Sequence, residues 1–364
     1  MLVESHITTI LNTRKCRRGI MKKLLIALLI ALTVLTGCSK KEEAAAPAAT
    51  VEAKAAKTVY TIKVGHEFTT ESPRHKALEA FGKYLEEKSE GQLVVELFPA
   101  GVLGKEAEML ESVKMGNIEA YVGGPFDPQT EKLNLILMPF FFENQEALMR
   151  VAKSDVGDAI RKDAEKNNLK LLCIGDGGSR QITNNKRVVK TPEDMKGLKI
   201  RTPGMESIIK CMQALGANTV SIPYADVYMA LKTGVADGQE NPLANIGDMK
   251  FYEVQKYMTY IDYQFHPEVM NMNLQFFNNL PSELATIVQD GAWIFAEEQN
   301  RLRSEMNDKY YQMIKDSGVQ IYTLSSEEKK AFMEACAPVY DYFIEKGTFT
   351  REELEAVRSV AQGK

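Results

Sequence analysis

The sequence predicts an α/β protein of two domains. Residues 59–124 alternate strand and helix patterns as βαβαβ, and the alternation returns after residue 169. Residues 281–318 then form one amphipathic stretch with few breakers, too long for one small domain and long enough to brace two. The chain of 364 residues also exceeds what a single hydrophobic core usually serves.

The elements follow in order. "VYTIKVG" (59–65) alternates apolar and polar residues, the period of a strand. Ser72-Pro73 opens a helix with proline in its first turn; the helix runs to Ser89 and Gly91 stops it. "QLVVELF" (92–98) is a second strand, "LGKEAEMLESVKMG" (103–116) a helix closed by Gly116, and "IEAYVGG" (118–124) a third strand. This order implies a parallel sheet with right-handed crossovers. "LKLLCIG" (169–175) reads as a buried strand. "TPEDMKGLKIR" (191–201) is a short helix, with Thr191 as N-cap and Pro192 at its first position, followed by a strand ending at Arg201. Thr202-Pro203-Gly204 breaks that strand, and Met205, Ile208, Ile209, Met212 and Leu215 recur at helical spacing. "TVSIP" (219–223) and "YADVYMALKTG" (224–234) add another strand and helix.

The N-terminal region carries targeting signals. Met21-Lys22-Lys23 precedes "LLIALLIALTVL" (24–35), an apolar run shorter than the roughly 20 residues of a spanning helix. It fits a secretory signal, with an uncleaved anchor as the alternative. Met21 is the expected true start, with residues 1–20 then untranslated; alternatively Arg14, Lys15, Arg17 and Arg18 extend the basic region of the signal. Leu35-Thr36-Gly37-Cys38 resembles the lipobox of bacterial lipoproteins, which implies a leader over 1–38 and a lipid on Cys38. Residues 39–57 are low in complexity without core-forming residues, and read as a disordered tether.

Composition removes several function classes. The chain is 45% hydrophobic and 26% charged, as in ordinary globular proteins, and its net charge of −4 argues against nucleic acid as partner. Of five cysteines, Cys16 and Cys38 lie in the leader; Cys173, Cys211 and Cys336 each sit in an apolar run and read as buried thiols, one disulfide remaining open. No Cys/His spacing suggests a metal, and no cofactor is implied. "GDGGS" (175–179) is not a nucleophile elbow, and His66, His75 and His266 form no obvious pair, so an enzyme is disfavoured.

Ligands of open α/β sheets bind at the carboxyl ends of strands. Those ends carry His66-Glu67, Gly123-Gly124, the 175–180 segment, Arg201 and Gln239-Glu240-Asn241. Arg201 sits beside a helix start, whose free N–H groups favour anions. Guanidinium is a permanently charged fork that matches a carboxylate bidentately.

"KIRTP" (199–203), "IPYADVYMALKTGVADGQENPLANI" (222–246) and "FYEVQKY" (251–257) resemble the DctP-type solute receptors of TRAP transporters, as do 97–119 and 137–148. The likeness covers about 58–345, and "VADGQENPL" is its most specific part. The resemblance implies a periplasmic-binding-protein-like fold of type II, a Venus-flytrap of two domains with a long helix spanning both. We place domain I at 58–178 plus 267–306 and domain II at 179–266 plus 307–364.

The resemblance also assigns roles. Arg201 would pair with the ligand carboxylate, and Arg180 would add charge or a hydrogen bond. Asn241 would orient that carboxylate or its arginine, and Tyr224 would line the cleft. His66 and Glu67 stand where members place polar contacts, and Glu67 would accept from ligand hydroxyls. Gly124 stands where sialate-binding members carry an acid, which speaks against sialic acid, and Phe126 would line the rim. The plainer readings are an interdomain salt bridge for Arg201, a surface loop for Arg180, a helix cap for Asn241 and core packing for Tyr224.

The expected function is an extracytoplasmic, lipid-anchored, monomeric receptor. It would close its cleft on a small organic acid and deliver it to a TRAP permease. A sugar acid suits Glu67, whereas a C4-dicarboxylate would use Arg180 as a second anion site. Service to an ABC importer or a sensor kinase is the remaining alternative.

Overall fold

The computed structural model describes residues 57–364; the signal segment, Cys38 and most of the tether lie outside the described residues. The chain opens with β1 (Tyr60–Gly65), α1 (Pro73–Lys88), β2 (Leu93–Phe98), α2 (Glu106–Met115) and β3 (Ala120–Gly123). The start and stop of α1 follow local chemistry. Ser72 caps it by accepting from the His75 N–H at 3.2 Å, and Gly91 takes a φ of +78° beyond its end.

Beyond a 3₁₀ turn (Glu131–Ile136) come α3 (Gln145–Ala152), α4 (Asp155–Asp163), β4 (Leu169–Asn184), β5 (Lys199–Thr202), α5 (Glu206–Ala214), β6 (Asn218–Ser221), α6 (Val227–Thr233), β7 (Gly238–Pro242) and α7 (Leu243–Asp248). The chain ends with β8 (Tyr257–Tyr260), β9 (Phe265–Asn273), α8 (Leu274–Asn279), α9 (Ser282–Asp316), β10 (Gln320–Thr323), α10 (Ser326–Lys346) and α11 (Arg351–Ala361). Among the described residues, no helix is long and apolar enough to cross a membrane.

The parallel pairing expected of the first three strands is present, and the sheet as a whole is mixed. β1 pairs in parallel with β2 and β3, and β5 with β6 and β7, as the βαβ pattern requires. Between these blocks β9 runs antiparallel to β3 and β4, and β4 antiparallel to β7 and β8.

β4 is also longer than expected. Gly175-Asp176-Gly177-Gly178 reads as a strand end, yet β4 runs on to Asn184. A bulge between Asp176 and Gly178 absorbs the glycines, with Gly178 at a φ of +104°. β4 pairs with β9 through Ser179 and with β7 from Arg180 onward, so one strand serves two lobes.

α9, of 35 residues, is the second shared element. Its first half buries Val288, Ala292 and Phe295 with Phe81 and Leu85 of α1. Gly291 permits the close approach, because a Cβ there would lie 2.4 Å from Leu85 Cδ1. Its second half packs Tyr310 and Ile314 with Leu243 and Ile246 of α7. At 1.5 Å per residue the helix spans about 50 Å, enough to cross both lobes.

The C-terminal assignment needs correction. β10 pairs with β8, and Phe332 and Cys336 pack with Ile182 and Ile200, all in the second lobe. From Val339 the chain turns back: Phe343, Phe349, Leu354 and Val357 bury themselves with Leu148 and Leu171 of the first. The last helices thus cross to domain I, which their own amphipathic pattern does not reveal.

Candidate functional site

The two lobes bring their strand ends together around a small cavity of about 30 Å³. Arg74, Arg180, Arg201, Tyr224, Asn241, His266 and Glu268 line it, with Gly124 and Met205 closing it from opposite lobes. A larger cavity of about 500 Å³ adjoins it and shares Glu106, Arg201, Pro203 and Tyr224. The first has room for about one water, and the second suits a small organic molecule.

Arg201 is only 2% exposed at the end of β5. Its Nε and Nη2 both donate to the Ile222 carbonyl, at 2.8 and 2.6 Å. Among the described residues no carboxylate lies in salt-bridge range of it. Burial pulls its pKa down to about 10; Glu240 opposes the shift and Arg180 adds to it. A buried guanidinium whose hydrogen bonds go to a neutral carbonyl keeps an uncompensated desolvation cost.

The other two arginines are already paired. Arg180 Nε bonds Glu240 Oε2, its Nη2 reaches Glu240 Oε1 at 2.9 Å, and Tyr263 donates to the same carboxylate. Burial works against the Arg180 charge, yet Glu240 overrides it and lifts the pKa above the ordinary value. Arg74 Nε donates to Glu268 Oε2 at 2.6 Å, and its Nη1 to Asn245 Oδ1 at 2.8 Å.

Asn241 is fixed by its neighbours: Oδ1 accepts from Arg180 Nη2 at 3.4 Å and Asn245 Nδ2 at 3.2 Å, while Nδ2 donates to Gln239. Tyr224 is 6% exposed, in a turn just after β6, and its hydroxyl has no protein partner. His266 Nδ1 and Glu268 Oε1 are likewise buried and unpartnered. Three unpartnered polar atoms around one cavity are an unusual concentration, and a polar ligand would satisfy them.

Glu67 lines the larger cavity. Its Oε1 accepts from the Glu106 N–H at 3.2 Å, and its Oε2 is buried without a partner. Burial, then the Glu106 charge, pushes its pKa up to about 8. A group protonated at neutral pH donates as well as accepts, beyond the acceptor role expected of it.

Phe126 also lines this cavity. Gly124 donates to Glu106 Oε1 at 3.3 Å, and a Cβ there would meet Met205 Cε at 2.5 Å. Lys105 and Asp226 form an ion pair at 2.7 Å linking the start of α2 to the turn that carries Tyr224.

His66 lines neither cavity. Its Nδ1 accepts from the Phe68 N–H at 3.2 Å, which leaves the proton on Nε2, 3.1 Å from His75 Nδ1. Burial, then the charges of His75 and Arg74, lowers its pKa to about 3, so it is neutral and shapes the loop behind Glu67.

Sequence reasoning missed Arg74, Glu106, Asn245, His266 and Glu268. Arg74 had a signal: it occupies the second position of α1, where a cation opposes the helix dipole unless a carboxylate compensates. Glu268, in the middle of an antiparallel strand, had none.

A cavity of about 850 Å³ lies elsewhere, between Pro139–Phe141, α10 and α11. None of the buried unpartnered polar atoms lines it, and its Arg351 is paired with Asp341 at 3.1 Å.

Known proteins resemble this chain in sequence and fold. The family described as bacterial extracellular solute-binding protein, family 7, matches residues 64–346. The 2,3-diketo-L-gulonate-binding periplasmic protein YiaO of Escherichia coli is 31% identical, over 82% of this chain and 92% of its own length. The C4-dicarboxylate-binding periplasmic protein DctP of Rhodobacter capsulatus is 29% identical, over 82% of this chain and 90% of its own. Among solved structures, the sugar acid binding protein DctPAm of Advenella mimigardefordensis in complex with galactonate superposes with a TM-score of 0.80 at 25% identity, covering 85% of this chain and 99% of that one. A TRAP periplasmic solute binding protein of Roseobacter denitrificans with bound β-D-glucuronate gives 0.79 at 26%, covering 82% and 99%.

Proposed function

We propose, for a chain that belongs to the bacterial extracellular solute-binding proteins of family 7, that the ligand is a sugar acid with a single carboxylate. Membership makes the chain a solute-binding protein of TRAP transport with the two-domain periplasmic-binding-protein fold, taking a small organic acid to a membrane permease. The family consists of binding proteins, and in our reading this chain makes and breaks no bond.

The observation that carries the ligand class is the ionic pairing of the site. Arg74 and Arg180 are neutralised by Glu268 and Glu240, and among the described residues Arg201 is the arginine of this site with no carboxylate in salt-bridge range. One available cation suits one ligand carboxylate. Tyr224 Oη and Glu67 Oε2 then suit hydroxyls on the rest of the ligand. In this reading Asn241 and Arg180 hold the wall of the site, and Phe126 covers its rim. A C4-dicarboxylate, the named ligand of the Rhodobacter relative, would place its second charge near groups already paired.

We assign the anchor to a lipid on Cys38, with 39–57 as a tether; the lipobox-like residues 35–38 support the lipid. A monomer suffices, because both lobes of the site come from one chain. Loss of membrane fractionation in Cys38→Ser tests the anchor.

The ligand class is tested by a thermal-shift screen of sugar acids, C4-dicarboxylates and matched neutral sugars. A ligand at 100 times its Kd should add about 2.7 kcal/mol of stability. A shift by a sugar acid and not by its neutral analogue supports the reading; a shift by dicarboxylates alone, or by neutral sugars, refutes it.

A further inference from the structure

Away from the ligand site, two cysteines distant in sequence meet in the second lobe. Cys211 Sγ and Cys336 Sγ lie 3.4 Å apart, on α5 and α10, 125 residues apart in the chain. Both thiols are buried, packed among Ile200, Met212, Leu215 and Phe332. Both are free as the structure stands, as is Cys173, which lies in a different apolar cluster with Met270 and Ala296.

We infer that Cys211 and Cys336 are an oxidation site, closing to a disulfide that ties α5 to α10 in the exported protein. The geometry carries it. A disulfide needs sulfurs about 2.05 Å apart, so closure asks for roughly 1.4 Å of approach, within reach of small side-chain rotations on two packed helices. Buried thiols react slowly once packed, and burial holds the Cys211 thiol well above its ordinary pKa. The bond would therefore form as the chain folds, before the cluster around Phe332 closes over it. The inference rests on the extracytoplasmic setting of the family, where disulfides persist, and not on the ligand assignment.

The chemistry is thiol–disulfide exchange. One cysteine, as thiolate, attacks a disulfide-bonded oxidant such as oxidised glutathione or an exported thiol oxidoreductase. The second then displaces that carrier from the mixed disulfide. One S–S bond forms, both cysteines lose their protons, and two electrons reduce the oxidant to two thiols.

The position gives the bond a consequence for the receptor. α5 starts four residues after Arg201-Thr202, and α10 continues into Val339 and Phe343, which pack in the first lobe. The bond would fix the helix behind Arg201 to the helix that returns between lobes. It would also close a long loop, which constrains the unfolded chain strongly.

The test is peptide mapping of the chain isolated from the extracytoplasmic fraction, unfolded without reductant while free thiols are alkylated. The expected result is one cross-linked peptide pair joining Cys211 to Cys336, with Cys173 alkylated. Reductant should then lower the melting temperature by several degrees in the wild type and leave Cys211→Ser/Cys336→Ala unchanged. Alkylation of both Cys211 and Cys336 in the isolated chain would overturn the proposal. If those thiols close only on refolding with oxidised glutathione, the pair is competent but not a native modification, and the proposal fails equally. Mapping needs no variant, so a misfolded mutant cannot blur the result.

Discussion

Arg180 and Arg201 stand one strand apart and are equally buried, at 2% exposure each, yet their surroundings are opposite. Arg180 is clasped by Glu240, and its pKa is raised. Arg201 has a backbone carbonyl, and its pKa falls to about 10. The first is a finished structural pair. The second carries a desolvation cost that Glu240 offsets only in part, and in our proposal a ligand anion offsets the rest. Burial of an arginine therefore does not by itself mark a binding residue; the identity of its partner does.

The largest effect should come from breaking the finished pair. Glu240→Gln leaves Arg180 buried with a neutral partner and should destabilise the protein by about 3–5 kcal/mol. Arg201→Met removes an uncompensated charge, and should leave the ligand-free protein within about 1 kcal/mol of wild type or more stable. Urea denaturation of both variants reads the contrast, and equal losses would erase the distinction.

Glu67 sharpens the comparison through pH. Its carboxyl titrates at about 8 in the folded chain against an ordinary 4.5, so the folded state holds a proton that the unfolded state has released. Between those values the unfolded chain binds fewer protons, so stability falls as pH rises from 4.5 to about 8, by at most about 1.4 kcal/mol per pH unit. Glu67→Gln should flatten that part of the ligand-free profile. A variant profile parallel to wild type would mean that Glu67 is already ionised there.

The smallest effect belongs to Tyr224→Phe. Its hydroxyl has no protein partner, so removal should leave ligand-free stability within about 0.5 kcal/mol. Sugar-acid affinity should fall by about 1 kcal/mol, roughly fivefold, if the hydroxyl meets the ligand. Calorimetry showing unchanged affinity would put that hydroxyl outside the site.

Local chemistry made much of this readable in advance. Ser72-Pro73 and Gly91 bound α1, the unbroken pattern of 281–318 is α9, and Arg201 lies one residue before the end of β5. Long-range pairing was not readable. Gly175–Gly178 signals a turn locally, and only pairing with β9 and β7 keeps it in a strand. The same limit hid the return of α11 to the first lobe, and the partners that occupy Arg74 and Arg180. Residue type and spacing nominate Arg180 and Arg201 for anion binding and pass over Arg74. Distinguishing the one without an ionic partner required knowing where Glu240 and Glu268 sit.

The most direct measurement is calorimetric titration of Arg201→Lys against wild type, using the acid found by thermal shift. Lysine keeps the charge but loses the fork, so affinity should drop by about 2–5 kcal/mol, roughly 30- to 5000-fold, with folding intact. Near wild-type affinity in a folded Arg201→Lys protein would contradict the account, because the carboxylate would then be held elsewhere.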